Sequence, residues 1–186
     1  VRGQCYYLED FWSITLTEFT DQNNLTAAEN GSSIYICING RGSFRNSPNL
    51  KEFIIKKFKK SSPVKIFLDM KACSGMDSTF MGVLAGLSIL SKKNKHSLSV
   101  TNISTKNEKL LKTLGVSKIL IFSNEKHDYL KKTTKNIPSI NDKEKTTKTS
   151  LEAHKQLVKI DKKNKLEFKS VIDLLESELN NYKKGK

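Results

Sequence analysis

The sequence predicts an α/β domain over residues 33–122, in which a mixed or parallel β-sheet is covered by packed helices. Three observations indicate this fold class: short β-branched runs recur, segments of helical periodicity lie between them, and short turns separate the two. Strict alternation of strands and helices favours a largely parallel sheet with helices packed on it. With 186 residues, the chain has room for one such domain plus extensions.

The predicted domain opens with a strand and an amphipathic helix. The run IYICI at 34–38, followed by turn-forming residues, is typical of a buried strand that closes in a turn. Ser47 before Pro48 predicts an N-cap with proline at the first helical position. Apolar residues then recur at helical spacing beside a face of lysines. These apolar residues are Leu50, Phe53, Ile54 and Phe58.

The remaining elements follow in alternation. VKIFLDM at 64–70 predicts a second strand, and the loop KACSGMD leads into a helix over 78–92. SLSVTNI at 97–103 predicts a third strand. The short helix KNEKLLKTLG follows, with Gly115 at the C′ position that favours glycine. KILIF at 118–122 predicts the last strand of the domain.

Three segments flank this domain. Residues 1–32 contain an aromatic cluster and many turn formers, and we interpret them as an N-terminal extension. Residues 123–149 are polar and rich in lysine and threonine, which is typical of a linker. Residues 150–186 predict a C-terminal helix whose apolar seam is interrupted at Asp161 and Lys165. Two alternatives stay open: this helix pairs with a partner helix, a second copy of the chain included, or it docks back on the domain.

The chain is strongly basic, with 33 basic and 19 acidic residues and a net charge of +14. Such a charge raises nucleic acid and anionic membranes as partners. Only three of the basic residues are arginine, however, and aromatic residues rarely lie among the lysines. Nucleic-acid surfaces usually combine arginine with aromatic platforms. We therefore interpret the lysines as a solvated surface and rank nucleic-acid binding last among the functions considered.

The cysteines and the apolar segments indicate the cellular compartment in which the protein is expected. Cys5, Cys37 and Cys73 are odd in number and lack CxxC spacing, which argues against a disulfide framework or a zinc site. The first residues do not resemble a signal peptide, and no stretch approaches the length of a transmembrane helix. The sequence favours a cytoplasmic protein without a membrane partner.

Catalytic motifs are missing from the sequence. It contains no Walker loop, no GxGxxG, no HExxH and no GxSxG elbow. The histidines, His96, His127 and His154, have no nucleophile at useful spacing along the chain. We therefore expect no enzyme activity, no cofactor and no metal site.

The segment DMKACSGMDSTFMGVLAGLSIL carries the most distinctive pattern. Asp77, Ser78 and Thr79 stand where N-cap residues are expected, and the helix after them is apolar over more than one stripe. A helix of this kind must be covered on both sides. Its small residues, which allow close approach of a neighbouring element, are Gly82, Ala85 and Gly86. Either the Met81 side meets another protein, or the helix is wholly internal.

The strand, the MDST loop and the helix of small and apolar residues resemble the STAS domain, and in particular the bacterial anti-sigma factor antagonists. The resemblance covers roughly residues 33–122. It implies that Ser78, or alternatively Thr79, is phosphorylated by an anti-sigma factor serine kinase, and that a PPM-type serine phosphatase restores the protein. It also implies a partner-binding surface that consists of Asp69, Asp77, Ser78, Thr79, Phe80 and Met81.

The sequence departs from this family at one point and leaves alternatives open. Many relatives continue with serine or alanine and then glycine, whereas Thr79 and Phe80 follow Ser78 here. On spacing alone Ser78 is an ordinary helix-capping serine, and only the resemblance favours a phosphoacceptor. We expect a non-enzymatic partner-switching regulator of transcription. The second hypothesis is a STAS scaffold or small-ligand-binding module that acts through its C-terminal helix.

Overall fold

The computed structural model describes residues 24–59, 62–124 and 135–184. Their strands are β1 (Leu25–Asn30), β2 (Ser33–Ile38), β3 (Gly40–Gly42), β4 (Lys65–Asp69), β5 (Cys73–Met76), β6 (Ser97–Thr101), β7 (Ile121–Ser123) and β8 (Lys135–Asn136). Six of them form a mixed sheet in the order β7-β6-β4-β2-β1-β8, and β3 and β5 form a separate pair. Strands β2, β4, β6 and β7 run parallel to one another, and β1 is antiparallel to both of its neighbours.

Five α-helices lie in the described part of the chain. They are α1 (Ser47–Phe58), α2 (Ser78–Lys93), α3 (Thr105–Thr113), α4 (Lys143–Ile160) and α5 (Asn164–Lys184), with a 3₁₀ turn at Val116–Lys118. Helix α2 packs against α1, β6 and α4, and α5 packs against α4. Among the described helices, none is both long and apolar enough to cross a membrane.

The central strands and α2 form the core. Ile36, Ile66, Leu68, Leu84 and Leu98 are fully buried, so the middle strands and the helix over them exclude water. Because parallel strands are covered on both faces, their sequences read as nearly continuous apolar runs. This explains why IYICI, VKIFLDM and SLSVTNI were predicted as strands, and the structure confirms all three.

The domain boundary at residue 33 was wrong. The sheet starts with β1, inside the predicted N-terminal extension, and Leu25 at its start is only 2% exposed. This strand reads LTAAEN, in which alanine and glutamate are poor strand formers, so only its pairing with β2 identifies it. The predicted aromatic cluster lies outside the described residues.

Two local predictions need correction. The N-cap of α1 is Asn46 and not Ser47, whose hydroxyl donates to the carbonyl oxygen of Ser43. The last predicted strand begins late, because residues 116–118 form the 3₁₀ turn and β7 starts at Ile121. Gly115 has a positive φ of 74°, as the helix-ending glycine was predicted to have.

The single C-terminal helix predicted over 150–186 was also wrong. Helix α4 begins at Lys143, inside the predicted linker, and Asp161 adopts an extended conformation that ends it before α5. The side-chain amide of Asn164 donates to the carbonyl oxygens of Leu157 and Leu114. These two hydrogen bonds satisfy buried carbonyl groups where the two helices meet. The polar interruption of the seam is therefore a turn between two helices.

Candidate functional site

Asp77 anchors the start of α2. Its carboxylate accepts a hydrogen bond from the backbone N–H of Phe80 at 2.8 Å, which is the geometry of an N-cap. The other carboxylate oxygen accepts from the backbone N–H of Phe44 at 2.8 Å. Asp77 thus joins the loop before α1 to the first turn of α2, and this role requires no partner protein.

Ser78 does not cap the helix, because Asp77 already does. Its hydroxyl lies 3.0 Å from Nε2 of His154 on α4, and Ser78 is half-buried. The alternative that Ser78 is an ordinary capping serine is therefore wrong. The sequence pattern also gave no reason to pair His154 with a hydroxyl, since 76 positions separate the two residues.

The hydrogen bonds of His154 define its tautomer. Nδ1 lies 2.8 Å from the backbone oxygen of Ser150, and because a carbonyl oxygen only accepts, Nδ1 carries the proton. Nε2 of the neutral ring is then an acceptor, and the Ser78 hydroxyl donates to it. Burial lowers the pKa of His154 from its ordinary value of 6.5, against the opposing effects of the Ser150 carbonyl and the Asp77 carboxylate. The ring is therefore neutral near pH 7.

The ring of His154 also packs against α5. The ring of Phe168 lies 4.9 Å from the imidazole centroid at a tilt of 59°, and His154 is 5% exposed. Aromatic rings prefer tilted contacts of this kind at such distances. His154 therefore connects three helices, because it contacts Ser78 of α2 and Phe168 of α5.

The small residues of α2 allow α4 to approach closely. A Cβ atom built on Gly82 would lie 2.5 Å from the backbone oxygen of Ala153, so no side chain fits there. The prediction that small residues permit close approach is confirmed at Gly82, and the element that approaches is a helix of the same chain. Of the two alternatives for α2, the described residues therefore favour the internal helix.

Three predicted partner-binding residues are buried. Thr79 is 4% exposed, Phe80 is 0% exposed and Met81 is 5% exposed. The ring of Phe80 lies so close to Gly42 on β3 that a Cβ atom there would be 2.6 Å from it. Phe80 is therefore a core residue in this structure and offers no surface to a partner, which corrects the expectation from the sequence.

Asp69 belongs to a different hydrogen-bond network. Its Oδ1 accepts from the backbone N–H of Lys71 at 2.9 Å and from the side chain of Asn102 at 3.0 Å. Asn102 has a positive φ of 53°, a conformation that asparagine tolerates better than most residues. Asp69 thus connects the ends of β4 and β6, and it shares no described hydrogen bond with Asp77 or Ser78.

The fold defines a class of protein: an α/β domain in which a mixed sheet is covered by helices. The sequence model of the family described as the STAS domain matches residues 24–128, more than half of the chain. The chain therefore belongs to the STAS domain family.

Solved structures that resemble this one include antagonists and a transporter. A protein of Thermotoga maritima described as an anti-sigma factor antagonist is 15% identical, with a TM-score of 0.49, over 54% of this chain and 86% of its own. The anti-sigma factor antagonist SpoIIAA in its unphosphorylated form is 15% identical, with a TM-score of 0.48, over 54% and 89%. The murine anion transporter Slc26a9 is 19% identical, with a TM-score of 0.47, over 59% of this chain and 22% of the transporter.

All three TM-scores lie below 0.5, and the family assignment depends on the family match alone. No curated protein matches the sequence.

Proposed function

We propose that this chain is a non-enzymatic partner-switching regulator of the anti-sigma factor antagonist type, and that Ser78 is its phosphoacceptor. An anti-sigma factor serine kinase phosphorylates Ser78, and a PPM-type serine phosphatase removes the phosphate. The observation that carries the proposal is the position of Ser78: a half-buried hydroxyl that begins α2 and is free of the capping role. The matching residues of the family's motif, Asp77 and Ser78, support the same assignment.

A phosphate at Ser78 would change the surface more than the fold. It adds about 1.5 to 2 negative charges near pH 7. The N-terminus of a helix favours an anion, because its first N–H groups lack helical acceptors and the helix dipole is positive there. Asp77, directly before Ser78, adds further negative charge. A partner that approaches this site with acidic groups would therefore be repelled.

Thr79 remains the alternative acceptor, although it is more buried than Ser78. At 4% exposure its hydroxyl requires a larger rearrangement before a kinase reaches it. Ser74 lies just before Ser78 and is exposed, so it shows whether exposure of a serine is enough for phosphorylation. Phosphorylation that follows exposure rather than the motif would occur on Ser74.

The proposal is tested by phosphopeptide mass spectrometry of the protein from its native cells under two growth conditions. The peptide from Ala72 to Lys92 contains Ser74, Ser78 and Thr79, and fragment ions separate the three. We expect phosphate on Ser78 at an occupancy that changes with growth conditions. Phosphate on Thr79 would keep the mechanism and move the site, whereas an unmodified peptide in both conditions would contradict the proposal.

A second experiment tests the consequence for binding. Replacing Ser78→Asp should weaken association with the kinase by orders of magnitude, while circular dichroism stays nearly unchanged. Ser78→Ala removes the acceptor without adding charge and should retain the association. Loss of the folded signal in Ser78→Asp would count against a switch that acts at the surface.

The second candidate function is a STAS scaffold that binds through its C-terminal helices. The observation that favours it is the exposure of two large apolar side chains on α5, Leu166 at 88% and Leu174 at 68%. Partner association that survives Ser78→Asp but is lost with Leu166→Ser and Leu174→Ser would support this function and contradict the switch.

A further inference from the structure

Helix α4 occupies the face of α2 that begins at Ser78. On the basis of the function proposed for Ser78, we propose that α4 is a cis-acting cover, which competes with the anti-sigma factor serine kinase for this face. The partner gains access to Ser78 and to the α2 face only when α4 and α5 move away together. We refer to residues 143–184 as the C-terminal hairpin.

The contacts between α2 and α4 follow one line along α2. Ser78 meets His154, Gly82 meets Ala153, and one turn further on a Cβ atom at Gly86 would lie 3.9 Å from Gln156 Cγ. Residues four positions apart lie on the same face of a helix. A partner helix therefore cannot use this face while α4 is in place.

The face that α4 buries is unusually polar for a core helix. Its buried residues include threonine, serine and histidine besides leucine and alanine. They are Thr147, Thr149, Ser150, Leu151, Ala153, His154 and Leu157. Since the free energy of burial scales with apolar area, such a face is held less strongly than the apolar strands of the sheet. This difference favours a contact that opens without unfolding the domain.

Packing between the hairpin and the domain is also incomplete. A groove of about 200 Å³ remains between α1, α2 and α4, bordered by Ile55, Leu87 and Leu90. Because the groove is open to solvent on one side, part of the surface between these helices stays hydrated while α4 is docked.

Ion pairs orient α4 on α1 but add little free energy. Lys51 pairs with Glu152, and Lys145 pairs with Glu52, and all four side chains are partly exposed. Exposed ion pairs typically contribute about 0 to 1 kcal/mol each. They select the docked position without preventing its opening.

The connection to the sheet allows the hairpin to move as a unit. Residues 137–142 form neither helix nor strand, and two hydrogen bonds hold them to the domain: the backbone N–H of Ile137 donates to the carbonyl oxygen of Leu25, and that of Ile140 donates to Oδ1 of Asn49 on α1. The tether therefore stays attached beside β8 when α4 leaves. Phe168 packs on His154, which keeps α5 with α4.

A matched pair of glycine substitutions on α2 tests the cover. Gly82→Ala places a Cβ atom against the backbone of α4, whereas the Cβ atom of Gly86→Ala meets only ordinary contact distances. Both changes increase helix propensity equally, so that effect cancels between them. Hydrogen exchange of the full chain should show faster exchange of residues 143–160 in Gly82→Ala alone, with strand β4 still protected.

Access to position 78 provides the functional readout. Ser78→Cys is prepared with Cys5→Ser, and its thiol is labelled with N-ethylmaleimide. Background labelling is slow, because Cys73 is buried and because burial and the nearby Asp69 raise the pKa of the Cys37 thiol. We expect labelling about tenfold faster when Gly82→Ala is added, equivalent to about 1.4 kcal/mol in the opening equilibrium, and no change with Gly86→Ala.

The opposite results would overturn the cover. Equal labelling rates in all three proteins would mean that position 78 is accessible while α4 is docked. Loss of β4 protection in Gly82→Ala would mean that α4 is part of the core.

Native-state hydrogen exchange of the unmodified chain gives a test without substitutions. Residues 143–160 should exchange through a smaller opening than β4, and exchange of both in one global event would contradict the cover. None of these measurements requires a kinase, so a cover can be shown even if Ser78 carries no phosphate in cells.

Discussion

The hydroxyl of Ser78 donates to Nε2 of His154 across 3.0 Å, and this bond joins the first turn of the central helix to the C-terminal helices. No pattern in the sequence had linked these two residues, which are 76 positions apart. Ser78 was singled out for its place in a motif, whereas His154 was noted only as a histidine without a nucleophile at useful spacing along the chain. Because of this contact, a chemical change at Ser78 alters the stability of the docked α4, and undocking of α4 alters the surroundings of Ser78.

Removing the Ser78 hydroxyl should weaken the fold modestly. Ser78→Ala leaves Nε2 of His154 buried without its donor, so we expect a loss of about 1 to 3 kcal/mol in the free energy of unfolding. Urea denaturation measures it. Ser74→Ala in the same loop is the control, since its side chain is exposed, and it should change stability by less than about 0.5 kcal/mol. Equal effects of the two changes would show that the bond to His154 contributes nothing.

Stability should fall when the pH drops below the ordinary pKa of histidine. Burial lowers the pKa of His154 in the folded chain from 6.5, so the unfolded chain binds the proton more readily. The contribution of the neutral ring is complete above the unfolded value and is lost as the pH falls through the folded value. Thermal unfolding of the chain and of His154→Gln at about pH 7.5 and about pH 5.5 measures it.

The two other histidines are present in both proteins and cancel in this comparison. The loss of stability on acidification should therefore be smaller in His154→Gln than in the unmodified chain. An identical pH dependence of the two proteins would show that His154 is not the titrating group.

Asp77 should tolerate asparagine better than alanine. Asparagine caps helices well but has one acceptor oxygen, so it can accept from the N–H group of Phe80 or of Phe44 and not from both, whereas alanine removes both acceptors. We expect Asp77→Ala to cost about 0.5 to 2 kcal/mol and Asp77→Asn to cost less, as measured by chemical denaturation. If Asp77→Asn is the more damaging change, the contact between the asparagine NH2 group and a backbone N–H group costs more than the loss of both acceptors.

Gly42 should be intolerant of a side chain, because the ring of Phe80 fills its space. A Cβ atom at Gly42 would lie 2.6 Å from Phe80, whereas one at Gly75, on the paired strand β5, would lie 3.6 Å from its nearest neighbour. Gly42→Ala should destabilise the domain by about 1 to 3 kcal/mol. Gly75→Ala is the matched control in thermal unfolding, and an equal loss there would place the cause in strand propensity instead of contact with Phe80.

The core of the domain was predictable because its signals are local. Apolar runs that match β2, β4 and β6, the apolar periodicity of α2 and the glycine that ends α3 all carry their information within a few residues. Strands β1, β3 and β5 were not predicted, because their own residues carry no clear strand signal. Gly40–Gly42 and Cys73–Met76 are short and weak as strands, and they become strands only because they pair with each other.

The sequence by itself determined the α/β fold class, the helix that starts at Ser78 and the small residues that let a neighbour approach it. The tertiary structure alone decided which element approaches: α4 packs so closely that the backbone of Ala153 occupies the space beside Gly82. It also decided that Phe80 is core and that Ser78 meets His154. The reason is physical: periodicity reports which face of an element is buried, but the partner on that face is chosen by the packing of distant segments.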